Sequence, residues 1–483
     1  MSEAIVVGSG PNGLACAVEL ARTGVKVTVL EAAERIGGGT RTSELTAPGL
    51  LHDDCSATHP MAVGSPFLRS LDLERHGLEW LWPEIDLAHP LDDGSAGVLV
   101  RSIDETAEGL GEDGAAWRRV FGSPSAHFEE LLEDIMKPVV HVPRHPLRLV
   151  RFGLPAAAPA TVLARSWSSP EARALFGGVA AHAFSPLNRP MSSSVGCALI
   201  SACHAFGWPV AKGGSRAITD ALASDLEAHG GRIETGRRVA DMAEVSGVDV
   251  VVFDLAPRSV AEIAGDRLPG RVTRAYRRYR HGPGAFKLDL AVEGGVPWTN
   301  EACRRAGTVH AIGSFEEIVL AEQTTNRGSM PERPYVLVGQ QYLADPERSE
   351  GDLHPLWLYG HVPSGYAGDA SDAILGQIER FAPGFRERIV ASSARGPADL
   401  VAYNANYVGG DIITGANTPL QVLFRPRFAL DPYSTGAPGL YICSAATPPG
   451  AGAHGMGGYN AARSALRYLG RTGAGERLCG PAP

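Results

Sequence analysis

No CxxC pair occurs in the 483-residue chain: its cysteines, Cys16, Cys55, Cys197, Cys203, Cys303, Cys443 and Cys479, are scattered. That spacing withdraws support from a disulfide framework, a zinc site and a dithiol redox pair. No run of about 18 apolar residues is present, so no segment reads as a membrane-spanning helix. Positive charge is also scarce. Lys and Arg total 44 against 53 Asp and Glu, a net −9, which argues against nucleic acid as a partner. Met1-Ser2-Glu3 leads straight into a core-strand pattern, with no basic segment and separate apolar region before it. The expected location is therefore cytoplasmic. Internal repeats and low-complexity tracts are absent.

Glycine, in contrast, is abundant at 58 residues, and 44% of the chain is hydrophobic. The length suits two interleaved domains rather than one core. Ala4-Ile5-Val6-Val7 runs into Gly8-Ser9-Gly10-Pro11-Asn12-Gly13, then a helical stretch, then Val25 to Leu30 and Glu31. Strand, glycine-rich turn, helix and second strand closed by an acid make a βαβ dinucleotide-binding unit. Gly8 permits the tight turn, Gly10 lets backbone approach a pyrophosphate, and Gly13 lets helix and strand pack closely. The helix N-terminus offers N–H groups and partial positive charge to the phosphates. Glu31 follows Gly13 by 18 residues, the position of an acid that binds ribose hydroxyls. Only one such fingerprint is found.

A second glycine-rich turn, Arg35-Ile36-Gly37-Gly38-Gly39-Thr40-Arg41, follows the second strand. Its backbone N–H groups and flanking guanidiniums are suited to the same diphosphate. Near the other end, Gly439 to Ser444 reads as a buried strand and Ala445 to Ala462 as a glycine/proline turn entering a helix. Together these resemble the phytoene desaturase-related branch of the FAD-dependent amine oxidase superfamily, as do Gln340 to Pro346, Leu356 to Pro363 and Tyr407 to Asp411. One departure is Cys443-Ser444, where many relatives carry Gly-Asp or a similar acid. The resemblance implies an α/β fold: a Rossmann-like FAD-binding domain with an inserted substrate domain of mixed sheet and helices. The FAD domain is expected from residues 1–64, 206–283 and 425–473, the substrate domain from 65–205 and 284–424, and a tail from 474–483. Gly455, Met456 and Gly457 would present a helix N-terminus to the flavin, and a strand near Val239 would pass the adenine.

The resemblance further implies dehydrogenation of a carbon–carbon bond in an apolar, isoprenoid-like substrate, with oxygen or a quinone as electron acceptor. Amine oxidation, flavin-dependent polyene isomerisation and non-catalytic prenyl or lipid carriage remain alternatives on the same scaffold. His454, in the flavin-approach loop, is the candidate acid/base. Tyr359, His361 and Tyr407 are candidates for the substrate pocket. His52-Asp53-Asp54-Cys55 and His59 read as a polar turn bordering the flavin, and Lys212 as a surface residue. Phe286, Leu288, Leu290 and Val292 alternate with Lys287, Asp289 and Ala291, the pattern of a strand buried on one face. Residues 65–205 lean towards helix. Within them, 141–167 interleaves Arg144, Arg148, Arg151 and Arg165 with apolar residues and contains no acid. That segment reads as amphipathic helices with a solvated basic face, or as a peripheral membrane contact. A homodimer is left open.

Overall fold

A computed structural model describes residues 2–470, so the expected tail 474–483 and Cys479 lie outside the described residues. Two sheets organise it. The first is fully parallel, in the order Leu440–Ile442, Val250–Phe253, Glu3–Val7, Lys26–Leu30 and Arg232–Glu234. Its central strand is apolar and β-branched, as a strand buried on both faces must be. The helix Pro11–Arg22 starts with proline in its first turn, a position where the missing N–H is no loss. It buries Leu14, Ala15, Val18 and Leu20, and the last helix, Met456–Tyr468, packs alongside it.

The second sheet has seven strands, ordered Ile389–Arg395, Gly284–Glu293, Leu353–Val362, Val336–Gly339, Ala306–His310, Ile85–Pro90 and Ala96–Leu99. All its pairings are antiparallel except Ala306–His310 with Ile85–Pro90. The hairpin Ile85–Leu99 corrects the helical reading of residues 65–205. Its signal was short: the six residues Ile85 to Pro90, all buried, before the turn at Asp92-Asp93-Gly94. Helices Gly114–Ala126, Pro170–Ala181 and Ser194–Phe206 form a layer over this end of the sheet.

One face of the second sheet carries Phe286, Leu288, Leu290 and Val292, packed with Ile374, Ile378 and Phe381 of the helix Ser371–Phe381. The opposite face was expected to meet solvent. Instead Lys287 and Asp289 are 3% and 0% exposed. The strand lies between two neighbours, and segments of the first domain cover its polar side, so alternation here marks two kinds of interior rather than inside and outside.

Candidate functional site

The glycine-rich turn Gly8–Gly13 leaves the central strand of the parallel sheet with Gly8 at φ +101°. A Cβ on Gly13 would overlap the Gly8 carbonyl oxygen, so only glycine allows the helix to start this close to the strand. Gly10 is the N-cap of that helix and supplies no side-chain cap, leaving N–H groups directed at whatever binds there. Gly37 and Gly38 have φ values of +111° and +53°, and a Cβ on Gly38 would stand 3.1 Å from the Gly10 Cα. The two glycine turns therefore face each other across a gap no side chain could share. Asn12 Oδ1 accepts from Gly458 N at 3.4 Å, which brings the N-terminus of the last helix to the same place.

Two acids border this cradle. Glu31 Oε2 accepts from Ser9 N at 2.9 Å and Ser9 Oγ at 2.6 Å; Oε1 accepts from Ala33 N at 2.9 Å and lies 3.4 Å from Arg41 Nη2. Asp254, at the end of the neighbouring strand, accepts from Gly13 N at 3.0 Å. Burial pushes its carboxyl up to about 6. The Asp254 carboxyl thus already occupies the N–H of Gly13. Sequence reasoning missed Asp254; its signal was an acid closing an otherwise apolar strand, Val250–Phe253. Cradle and donors fit the diphosphate and ribose of an adenine dinucleotide.

The arginines behave differently from the expectation. Arg35 Nη2 donates to Ser43 Oγ at 2.8 Å, and Arg41 Nε donates to the carbonyls of Arg35 and Ile36. Arg41, which is buried, braces the second glycine turn from behind, whereas Arg35 is exposed and ties to the following strand. Thr40 Oγ1 donates to Gly37 O at 2.8 Å and closes that turn. Val239 lies in no strand: the strand ends at Glu234, and Val239 packs with Val7, Leu30 and Met242 in an irregular segment. His454 Nδ1 accepts from Met456 N at 3.1 Å, capping the last helix beside Gly455 and Gly457. Burial holds its ring down to about 4. The geometry gives His454 a neutral capping role.

Behind the second glycine turn lies a buried charged cluster that the sequence reading did not single out. Lys287 Nζ pairs with Asp289 Oδ1 and sits 5.0 Å from the centroid of the Trp357 ring. Asp289 Oδ2 is 3.3 Å from Arg395 Nη2, and Oδ1 is 3.6 Å from His52 Nδ1. Burial pushes Lys287 below its ordinary value. For Asp289, burial pushes upward but is outweighed by Lys287, His52 and Arg395, and the carboxyl is held low. The signal was present as a lysine and an aspartate two apart on one strand face. Tyr407 joins this cluster to the cradle: its hydroxyl interacts with Cys55 and occupies the space a Gly39 Cβ would need. Tyr407 thus borders the cradle.

Tyr359 and His361 lie deeper on the same sheet face, 5% and 0% exposed. His361 Nδ1 is hydrogen-bonded to Glu322 Oε1 at 2.6 Å, and Phe184 stacks on its ring at 3.8 Å between centroids. His59 and Lys212 lie apart from this group: His59 Nε2 bonds Ser215 Oγ at 2.8 Å, and Lys212 Nζ is 3.4 Å from Glu79 at the surface.

These elements define a Rossmann-type nucleotide cradle joined to a mixed sheet with a closed, aromatic and charged interior. Comparison with known proteins agrees. Residues 6–70 match the family of NAD(P)-binding Rossmann-like domains. The chain is 24% identical to pyridine nucleotide-disulfide oxidoreductase domain-containing protein 2 of Rattus norvegicus, over 97% of this chain and 94% of the relative. It is 28% identical to hydroxyneurosporene desaturase of Cereibacter sphaeroides over 50% of this chain and 51% of that protein. Putrescine oxidase bound to putrescine superposes with a TM-score of 0.60 at 16% identity, covering 97% of this chain and 99% of that structure. The homologues of this chain thus include pyridine nucleotide-disulfide oxidoreductase domain-containing protein 2 and a desaturase, and the chain shares its fold with an amine oxidase.

Proposed function

We propose that the protein is an FAD-dependent dehydrogenase that introduces a carbon–carbon double bond into an apolar, isoprenoid-like substrate. The observation that carries this reading is the convergence of three backbone elements on one site: the Gly8–Gly13 turn, the Gly37–Gly39 turn and the start of the last helix. A nicotinamide enzyme of this type needs only the first. When bound, FAD would supply a two-electron acceptor for hydride abstraction. The chain's own part is to bind, orient and exclude water. Gly10 and Gly38 would offer backbone to the diphosphate, Gly13 lets the helix start against the strand, Glu31 would offer a ribose acceptor, and Gly455–Gly457 would offer helix-end N–H groups to a negative ring edge. Trp357, Tyr359, Phe184 and Tyr335 supply the apolar wall, and the desaturase relative supports an apolar substrate.

A second reading, amine oxidation, is favoured by Lys287. It is a buried cation beside an aromatic ring, in a fold shared with putrescine oxidase; in amine oxidases a lysine near the flavin orients water. The same purified protein tests both readings. Bound FAD, released and identified by chromatography and bleached reversibly by dithionite, is the expected result. An added polyene or terpene should then reduce the flavin and gain a double bond, and the reduced flavin should reoxidise only when oxygen or a quinone is present. Peroxide release with amines would move the second reading to first place. A colourless protein that takes up no FAD would overturn both.

A further inference from the structure

One surface rich in exposed apolar side chains lies at residues 139–166. In the helix Pro146–Ala157 the buried residues are Phe152 and Ala156, while Leu147, Val150 and Leu154 are 85%, 59% and 73% exposed. Their spacing by three and four residues places them on one helix face. Val142, just before the helix, is 91% exposed. Arg151 and Arg165 are exposed, as a solvated basic face requires, but a row of apolar side chains is exposed beside them. The helix rests on Ser194–Phe206, and the next helical segment, Ala160–Ser166, turns away by 96°. Nothing among the described residues covers the outer face. No single helix among the described residues is long and apolar enough to cross a membrane.

A polar feature adjoins this face. A depression of about 340 Å³ is lined by Ser123, His127, Leu147, Arg148 and Arg151. Arg151 Nη1 donates to Ser123 Oγ at 3.3 Å. No Asp or Glu occurs between Ile135 and Pro170. Arg148 pairs with Glu130 and Arg144 with Glu133 of the preceding helix, whereas Arg151 and Arg165 have no ion-pair partner among the described residues. Exposed aliphatic tips beside a hydroxyl, an imidazole and two guanidiniums match the two halves of a phospholipid.

We propose that this face docks on a phospholipid bilayer. Val142, Leu147, Val150 and Leu154 enter the acyl boundary, and the depression between Ser123, His127, Arg148 and Arg151 receives a headgroup phosphate. A second copy of the chain fits less well, because two-fold pairing would set Arg151 and Arg165 of each copy near their equivalents. Docking also orients a chain of net charge −9, whose remaining surface an anionic bilayer repels. The proposal goes beyond the flavin reading and does not require it.

The test is flotation of the full chain, with whatever cofactor it retains, on phosphatidylcholine vesicles with and without roughly 30 mol% phosphatidylglycerol. The protein should float with both and more strongly with the mixed vesicles. Leu147→Ser with Leu154→Ser should lower partitioning about tenfold or more, with unchanged circular dichroism and visible absorbance. Arg151→Gln should remove the phosphatidylglycerol preference alone, and free glycerol phosphate should not release the wild type. A wild type that stays in the soluble fraction overturns the proposal, as does a double variant that floats like the wild type. So does release by glycerol phosphate, or a wild-type dimer that the double variant converts to monomer. A coloured protein that fails to float overturns docking alone, and a colourless one that takes up no added FAD yet floats overturns the flavin reading alone.

Discussion

Glu31 and Asp254 put two carboxylates at one glycine-rich turn, and their surroundings separate their roles. Glu31 is ringed by donors, Ser9 N, Ser9 Oγ and Ala33 N, so it remains an acceptor that a ribose hydroxyl can join. Glu31→Ala strands Ser9 N and removes that acceptor, a loss of about 1–3 kcal/mol. FAD retention through dilution and gel filtration should fall about tenfold or more, with Glu31→Gln intermediate because its amide oxygen still serves Ser9. Asp254 works against its own charge. Its carboxyl is raised from 3.8 to about 6 by burial, so the folded chain holds this proton more tightly than the unfolded chain. The stabilisation is complete below pH 4 and is lost as pH rises through about 6, a change of roughly 3 kcal/mol. Asp254→Asn has no proton to lose. Its urea midpoint should gain on the wild type between pH 4 and 7 and then run parallel. The wild type's affinity for the dinucleotide should also weaken over that range, because the ionised carboxylate sits on the anion's own donors. A flat affinity profile would show that the anion binds elsewhere.

At the scale of elements, the first and last helices approach closely at Gly458. A Cβ on Gly458 would collide with the Asn12 carbonyl oxygen and stand 2.8 Å from Cys16 N. Gly458→Ala should therefore separate two helices that both aim at the cradle, costing about 1–3 kcal/mol and releasing the cofactor. Gly153→Ala is the control: nothing lies within 4 Å of its Cβ, and in the helix Pro146–Ala157 it should be neutral or stabilise by about 0.5–1 kcal/mol. Thermal melts with and without added FAD separate the two outcomes. These helices also show what was legible from sequence. Gly8–Gly13, Glu31 and Gly455–Gly457 were read correctly as turn, strand-closing acid and helix start, because local backbone chemistry decides those shapes. The buried role of Lys287 and Asp289 was not. A period of two tells that a strand has two different faces, but only the covering segments decide whether the polar one is wet. The same limit hid the exposed leucines of Pro146–Ala157, since either stripe of that helix could have faced inward.

For the whole molecule, one buried arginine is a main tie between the two sheets, beside the hydrogen bonds of Arg395 to Asp54 O and of Tyr403 to Gly38 O. Arg348 is 1% exposed. Its Nη1 donates to Asp53 Oδ2 at 2.6 Å, Nε to Asp345 Oδ2 at 2.9 Å and Nη2 to Ala211 O at 2.7 Å. The two aspartates spread the connection further. Asp53 Oδ1 accepts from Thr42 Oγ1 and Ser215 N, and Asp345 Oδ2 also accepts from Gly213 N. Segments near residues 42–53, 211–215 and 345–348 thus meet at a single buried cation. Removing one partner of such a network leaves uncompensated charge, at a cost of about 3–5 kcal/mol. Arg348→Met fills much of the volume but leaves Asp53 and Asp345 facing each other without a counter-ion. Scanning calorimetry of the cofactor-bound protein should then show the two sheets melting at separate temperatures, where the wild type melts once. Arg348→Lys keeps the charge without the three-way fork and should fall between them. A single unshifted transition in Arg348→Met would mean that apolar contact between the domains, not this ion network, makes them unfold together.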